Sequence, residues 1–183
     1  MIERHIFIIG MPGSGKSSLG RKVAANMGLP YVDTDQRIEQ AAGCTVPQIF
    51  ERYGEAAFRC AETNVLIQLT REAPSLVSTG GGMILREENR AIMRSSGVIV
   101  LVDRPLEEIM GDIKLNRRPL LAQKGLGEVE RLYHERIDIY RGAADAVLDN
   151  GHGYYAGVTG MEKIIRNLFN ISAPPTPPVQ QLY

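Results

Sequence analysis

IFIIGMPGSGKS, residues 6–17, is the stretch on which the reading of this chain turns. Its four leading apolar residues suit a strand buried on both faces of a parallel sheet. They run directly into the pattern G-x-x-x-x-G-K-S, spanning Gly10 to Ser17. A loop that wraps phosphate must turn backbone N–H groups inward, which needs torsions that glycine adopts cheaply. Behind the loop the spacing predicts a helix with Leu19, Val23 and Met27 on one stripe and Gly28 as its stop. The positive end of that helix would face a bound anion. Lys16 would then reach the β- and γ-phosphates, and the Ser17 hydroxyl would ligate Mg²⁺. A strand before and a helix after separate this pattern from a mere glycine-rich turn, and they point to a nucleoside triphosphate.

Working outward, 183 residues suffice for one domain with a full hydrophobic core. Lys plus Arg and Asp plus Glu number 21 each, so no net field draws the protein to nucleic acid or an anionic membrane. Two cysteines, Cys44 and Cys60, are too few for a disulfide scaffold and are expected as free thiols in a reducing compartment. No apolar run approaches membrane-spanning length. The first strand starts within the opening residues, so the expectation is a cytoplasmic protein with no leader, and nothing demands more than a monomer.

Strands are expected at 29–32, 76–77, 98–102 and 146–148, alternating with helices at about 36–42, 55–70, 87–94, 128–144 and 159–169. Thr45 and Gln48 read as a capping box opening a short helix that buries Ile49, Phe50 and Tyr53 and stops at Gly54. Thr159 and Glu162 read as a second one, and Asp103 as the cap of the helix that follows 98–102. The alternation makes an α/β three-layer domain with a mostly parallel sheet. Ligands in such sheets sit outside the carboxyl ends of the strands. Three loops gather there: residues 10–17, 33–35 and 80–82.

These loops carry the chemistry. Asp33 and Asp35 flank Thr34 at a strand end; one is placed to act on Mg²⁺ and the other to accept a proton from an attacking hydroxyl. Helix capping by one of them is the plainer alternative. Arg59 has Glu62 one turn on, which would hold its guanidinium; alone, such a pair is usually a solvated surface feature. Arg136 falls on the predicted buried stripe of Val129, Leu132, Tyr133, Ile137 and Tyr140, where a charge needs an anionic partner, from the protein or from a ligand. Arginine suits a carboxylate because its planar fork donates two parallel hydrogen bonds. Gly80, Gly81 and Gly82 at a strand end let a ligand approach the backbone. Residues 116–127 read as a mobile loop, in which Arg118, or Arg117 beside it, would fold over the phosphates. His5, His134 and His152 share no metal-ligand spacing.

Taken in order, GMPGSGKS, VDTD, IFERYGEAAFR with Glu62, GGG, RPLL and the helix of Arg136 and Tyr140 resemble shikimate kinase, a P-loop fold of the nucleoside-monophosphate-kinase type. The resemblance covers residues 6 to about 168 and implies a five-stranded parallel sheet of order 2-3-1-4-5. Residues 1–170 would be one kinase domain, with a substrate-binding segment at about 35–61 and a lid at about 112–127. A proline-rich, disordered tail at 171–183 lies outside it. The implied reaction transfers the ATP γ-phosphate to the 3-hydroxyl of shikimate, within chorismate and aromatic amino-acid biosynthesis. Asp35 would hold ring hydroxyls and act as base, and Asp33 would support Mg²⁺ through water. Arg59, Arg136 and backbone amides of Gly80, Gly81 and Gly82 would hold the substrate carboxylate. Gly13, Ser14, Gly15, Lys16, Ser17 and Ser18 would hold the nucleotide, with Arg118 closing from the lid. Many members carry an adenine-stacking arginine shortly before RPLL, where this chain has Gly111 to Lys114, and residues 151–157 also depart from the family. Two rivals remain: a gluconate-type kinase, and a nucleotide-binding regulatory domain without catalysis.

Overall fold

The computed structural model of the protein describes residues 2–112 and 126–172. Its elements run β1 (His5–Ile9), α1 (Lys16–Met27), β2 (Tyr31–Asp33), α2 (Thr34–Ala42), α3 (Val46–Leu69), β3 (Leu76–Ser78), a 3₁₀ turn (Met83–Leu85), α4 (Glu87–Ser96), β4 (Gly97–Asp103), α5 (Leu106–Asp112), α6 (Leu126–Ala143), β5 (Ala146–Asp149) and α7 (Tyr154–Leu168). The strands form one parallel sheet in the order β2-β3-β1-β4-β5, as expected. β1 is central, with Ile6 beside Leu76 on one flank and Val98 on the other.

Strand periodicity sorts the core into two layers. Phe7, Ile9, Val77, Ile99 and Leu101 face one way, against Leu66 and Leu69 of α3, Met93 of α4 and Val129 and Tyr140 of α6. Ile6, Ile8, Leu76, Val98, Val100 and Val102 face the other, against Leu19 and Val23 of α1 and Met161 and Ile165 of α7. His5 sits in the sheet because each ring nitrogen has a partner. Nε2 lies 2.8 Å from the Leu69 carbonyl, and Nδ1 accepts from the Ser75 amide at 3.2 Å.

Three sequence expectations are corrected. The last helix starts at Tyr154, with Gly153 before it, and Thr159 lies inside it with its hydroxyl donating to the Tyr155 carbonyl, so Thr159 caps nothing. Asp103 ends β4 and pairs with Arg141 at 2.8 Å, while the Pro105 carbonyl accepts from the Ile109 amide at the start of α5. Tyr53 is 63% exposed, because the helix turns at Gly54 before Tyr53 can be covered. The Thr45 cap is present, the Gln48 side chain accepting from the Thr45 amide at 2.9 Å. Ile171, assigned to the tail from sequence, packs against the core shared by α1 and α7. Residues 173–183 lie outside the described residues.

Gly54 interrupts α3 with φ 77° and ψ 173°, a region essentially closed to residues with a Cβ. No atom lies within 4 Å of where that Cβ would be, so the demand for glycine is purely torsional. Gly54→Ala is therefore expected to lower stability by about 1–3 kcal/mol, read from urea denaturation; an unchanged midpoint would show that the kink is not enforced.

Candidate active site

The loop after β1 winds through three glycines of positive φ, namely Gly10 (147°), Gly13 (90°) and Gly15 (97°). Gly15 is the left-handed cap of α1, whose first turn carries no acidic residue and no side-chain cap, so its amides remain suited to an anion. Lys16 is buried, its ammonium donating to the carbonyls of Gly10 and Met11 at 2.9 Å each. Ser14 is fully buried, its hydroxyl turned against Gly10. Its amide donates to the Met11 carbonyl at 3.1 Å, so the expectation that Ser14 holds the nucleotide is corrected: it shapes the loop from within. Ser18 donates to the Gly15 carbonyl at 2.9 Å.

Two residues that the sequence reading passed over pin this loop from outside. Asn150, just past β5, donates from Nδ2 to the Ser14 carbonyl at 2.9 Å. Arg104 donates to the Gly13 carbonyl at 3.3 Å and is itself held by Glu108 (3.0 Å) and Asp112 (2.5 Å). A peptide plane points C=O and N–H in opposite directions, so holding the Ser14 carbonyl on Asn150 turns the Gly15 amide away from it. Arg104, Glu108, Asp112, Asn150, Gly153 and Tyr154 line a pocket of about 230 Å³ that opens beside Gly15 and Ser18. Their signal in the sequence is weak, because Arg104 and Asn150 are isolated polar residues just past strand ends.

At the same N-terminal end of α1, on the side facing β3 and β2, lies a cluster of hard oxygens. The Ser17 hydroxyl is 3.2 Å from that of Ser78, and Asp33 is the register partner of Ser78 in the sheet. One Asp33 oxygen accepts from the amides of Asp35 and Gln36, so Asp33 does cap α2, while the other faces the Tyr31 hydroxyl at 3.4 Å. Burial, and secondarily Asp33, push the Tyr31 hydroxyl pKa up. Tyr31 and Ser78 were not singled out from sequence.

The third cluster centres on residues 80–82. A Cβ on Gly80 would lie 2.7 Å from an Asp35 oxygen and 2.8 Å from a Glu62 oxygen, so the two carboxylates converge on one Cα. A Cβ on Gly81 would meet the Pro12 ring at 3.0 Å, and one on Gly82 would overlap the Arg59 guanidinium at 2.2 Å. The Gly80 amide donates to the Thr34 hydroxyl at 3.0 Å. That corrects the expectation that all three glycine amides serve a ligand: Gly80's is already committed.

Arg59 is no surface feature. Its guanidinium is paired with Glu62 at 2.8 Å and Glu55 at 2.9 Å, and the Glu62 side chain is wholly buried. Burial opposes the Arg59 charge, but Glu62 and Glu55 outweigh it and raise the pKa. Burial pushes the Glu62 carboxyl up to about 7, against the pull of Arg59 and with a push from Asp35. Arg136 is half-buried on α6 and has no ion pair among the described residues. Arg117 and Arg118 and the rest of the expected lid at 113–125 lie outside the described residues. Among the described residues no helix is long and apolar enough to cross a membrane.

A phosphate-binding loop, a carboxylate pair and two arginines at the carboxyl end of this sheet define a P-loop phosphotransferase for a small anionic acceptor. The comparisons narrow that class. A family model described as shikimate kinase matches residues 12–168. The shikimate kinase of Clostridium beijerinckii is 38% identical over 149 residues, 81% of this chain and 87% of that protein. That of Aromatoleum aromaticum is 39% identical over 165 residues, 88% and 94% of the two chains. Among solved structures, shikimate kinase from Acinetobacter baumannii in complex with shikimate superposes with a TM-score of 0.83 at 31% identity, covering 93% of this chain and 96% of that one. The enzyme from Aquifex aeolicus gives 0.77 at 34% identity, covering 90% and 98%. A gluconokinase from Sinorhizobium meliloti, at 15% identity and a TM-score of 0.51 over 93% and 98%, shares the fold alone. This chain belongs to the shikimate kinase family.

Glu62 yields a test of the charge arrangement. Its folded pKa is raised, so the native state holds that proton more tightly than the unfolded chain does. The associated stability is present below the ordinary 4.5 and is lost as pH rises through about 7. Glu62→Gln should flatten this loss, so that urea midpoints of variant and wild type diverge between about pH 5 and about pH 7.5; parallel curves would refute the assignment.

Proposed function

We propose that the protein transfers the γ-phosphoryl group of ATP to the 3-hydroxyl of shikimate, giving shikimate 3-phosphate and ADP. The observation that carries this reading is the convergence on residues 80–82. Asp35 and Glu62 meet there from α2 and α3, the phosphate loop touches through Pro12, and Arg59 lies against Gly82. An acceptor seated on that surface has a carboxylate near its hydroxyls, guanidinium near its acid and the triphosphate loop alongside.

Phosphoryl transfer asks the protein for positioning and charge neutralisation more than for covalent chemistry. The triphosphate lies on amides of Gly13, Gly15 and the first turn of α1, with Lys16 and Ser18 at hand. Lys16 leaves its two loop carbonyls for phosphate oxygens, a stronger, charge-assisted contact. Its purine enters the pocket between Arg104 and Tyr154. Ser17 directly, and Asp33 through water, suit Mg²⁺, since hydroxyl and carboxylate are the hard oxygen donors it takes. Bound there, Mg²⁺ supplies charge neutralisation on the β- and γ-phosphates. Asp35 accepts the proton of the attacking hydroxyl as the new O–P bond forms and ADP leaves. Arg59, Arg136 and the amides of Gly81 and Gly82 hold the acceptor carboxylate. Arg118, outside the described residues, supplies positive charge from the lid. The same reading makes the protein a cytoplasmic monomer.

An assay with ATP and Mg²⁺, coupled to ADP formation, should show turnover with shikimate and none with gluconate. Asp35→Asn should cut kcat by about 100-fold or more while the affinity for ATP stays within about twofold of wild type. Wild-type turnover by that variant would remove Asp35 as the base, and turnover with gluconate alone would overturn the acceptor.

A further inference from the structure

α6 carries two polar groups on its buried face one turn apart, Arg136 and Tyr140, and the function so far uses only the first. Tyr140 is fully buried, among the largest side chains with essentially no exposure. A buried phenol needs a hydrogen-bond partner, and this one donates to the Gly81 carbonyl at 2.5 Å. The acceptor lies inside the glycine run. The next residue, Gly82, is the one against which Arg59 is packed. The Gly81–Gly82 peptide is thus gripped by α6 through a hydroxyl and covered by α3 through a guanidinium. Arg136, four residues before Tyr140, lies one turn away on the same face of α6, and its positive charge acts on the phenol.

We propose that Tyr140 is a positioning residue for the acceptor, whose hydroxyl fixes Arg136 against the Gly81–Gly82 peptide and thereby sets the spacing of the two guanidinium groups that take the carboxylate. The inference rests on the carboxylate-binding role proposed above for Arg136. An oxygen that donates to a backbone carbonyl keeps its lone pairs for a guanidinium N–H. One atom therefore orients both a side chain and a peptide plane, which a purely apolar core residue could not do. Burial pushes the Tyr140 pKa up to about 12, with the two arginines opposing, so the hydroxyl keeps its proton and stays a donor at neutral pH. Tyr140 itself need not touch the acceptor.

Tyr140→Phe keeps the ring and removes only the oxygen. The expected result is a KM for shikimate raised about tenfold, the loss of one hydrogen bond in the binding site, with kcat and the KM for ATP within about twofold of wild type. Arg136→Ala should raise the KM for shikimate about 100-fold. In that background Tyr140→Phe should add less than about twofold, because the group it positions is gone. Multiplicative effects in the double variant would make Tyr140 an independent structural residue and overturn the proposal. So would an unchanged KM for shikimate in Tyr140→Phe, or equal rises for shikimate and ATP. If Arg136→Ala alone leaves the KM for shikimate unchanged, the carboxylate reading fails first and takes this inference with it. A crystal structure of the wild-type protein with shikimate supplies a check that does not depend on a variant. There the phenol should bridge the Gly81 carbonyl and a guanidinium that holds the carboxylate, and a phenol turned away from either would overturn the proposal.

Discussion

The site depends on backbone that other groups approach more closely than a methyl group would permit. At residues 80–82 three parts of the chain each claim the space of a missing side chain: the carboxylates of Asp35 and Glu62, the Pro12 ring, and the Arg59 guanidinium. None of these glycines has positive φ, so their identity follows from contact and not from torsion. The glycines of the phosphate loop answer first to torsion, all three having positive φ, and Gly10 answers to contact as well, since a Cβ there would lie 2.6 Å from the Val102 carbonyl oxygen. Two glycine-rich strand ends, side by side in the sheet, thus serve different physical needs. Together they let a nucleotide loop and an acid-binding surface share a wall.

Around that wall the charges are arranged to be held without being neutralised. Glu62, wholly buried, spends one oxygen on Arg59 and keeps the other beside Asp35 without a hydrogen-bond partner. A buried carboxylate in that position costs stability. It also fixes Arg59 by a short bond while leaving the planar fork with donors to spare. Arg136 has no such carboxylate among the described residues. Under the function proposed above, that difference would give the acceptor one guanidinium that is pre-set and one that awaits its anion.

Much of this was legible in the sequence, because the strongest signals are local. Continuous apolar runs marked β1 and β4, the G-x-x-x-x-G-K-S pattern fixed the loop, and Gly54 announced its own break. Tyr53 was misjudged because helical periodicity was carried up to that break without asking which way the chain turned after it. Thr159 has the right residues for a cap, yet tertiary packing carries α7 five residues further back, and its hydroxyl bonds within the helix instead. Arg104, Asn150 and Tyr140 could not be found this way. Each acts on a carbonyl or pocket distant in sequence, and nothing in its neighbours announces the partner. Tyr140 was read correctly as buried; what periodicity could not show is where its one polar atom goes.

The turn at Gly54 has a consequence for how this fold varies. It divides α3 into a leading arm, tied to α2 through the Val46 amide on the Glu39 carboxylate, and a trailing arm that carries Arg59 and Glu62. A Cβ at the joint would meet open space, yet the arms touch beyond it: the Phe50 ring of the leading arm packs on Phe58 of the trailing arm, 4.8 Å between centroids, and Arg59 lies over the Phe58 ring. A smaller ring at Phe50 would therefore loosen the support beneath the guanidinium, so the shape of the leading arm and the charge carried by the trailing arm cannot vary independently.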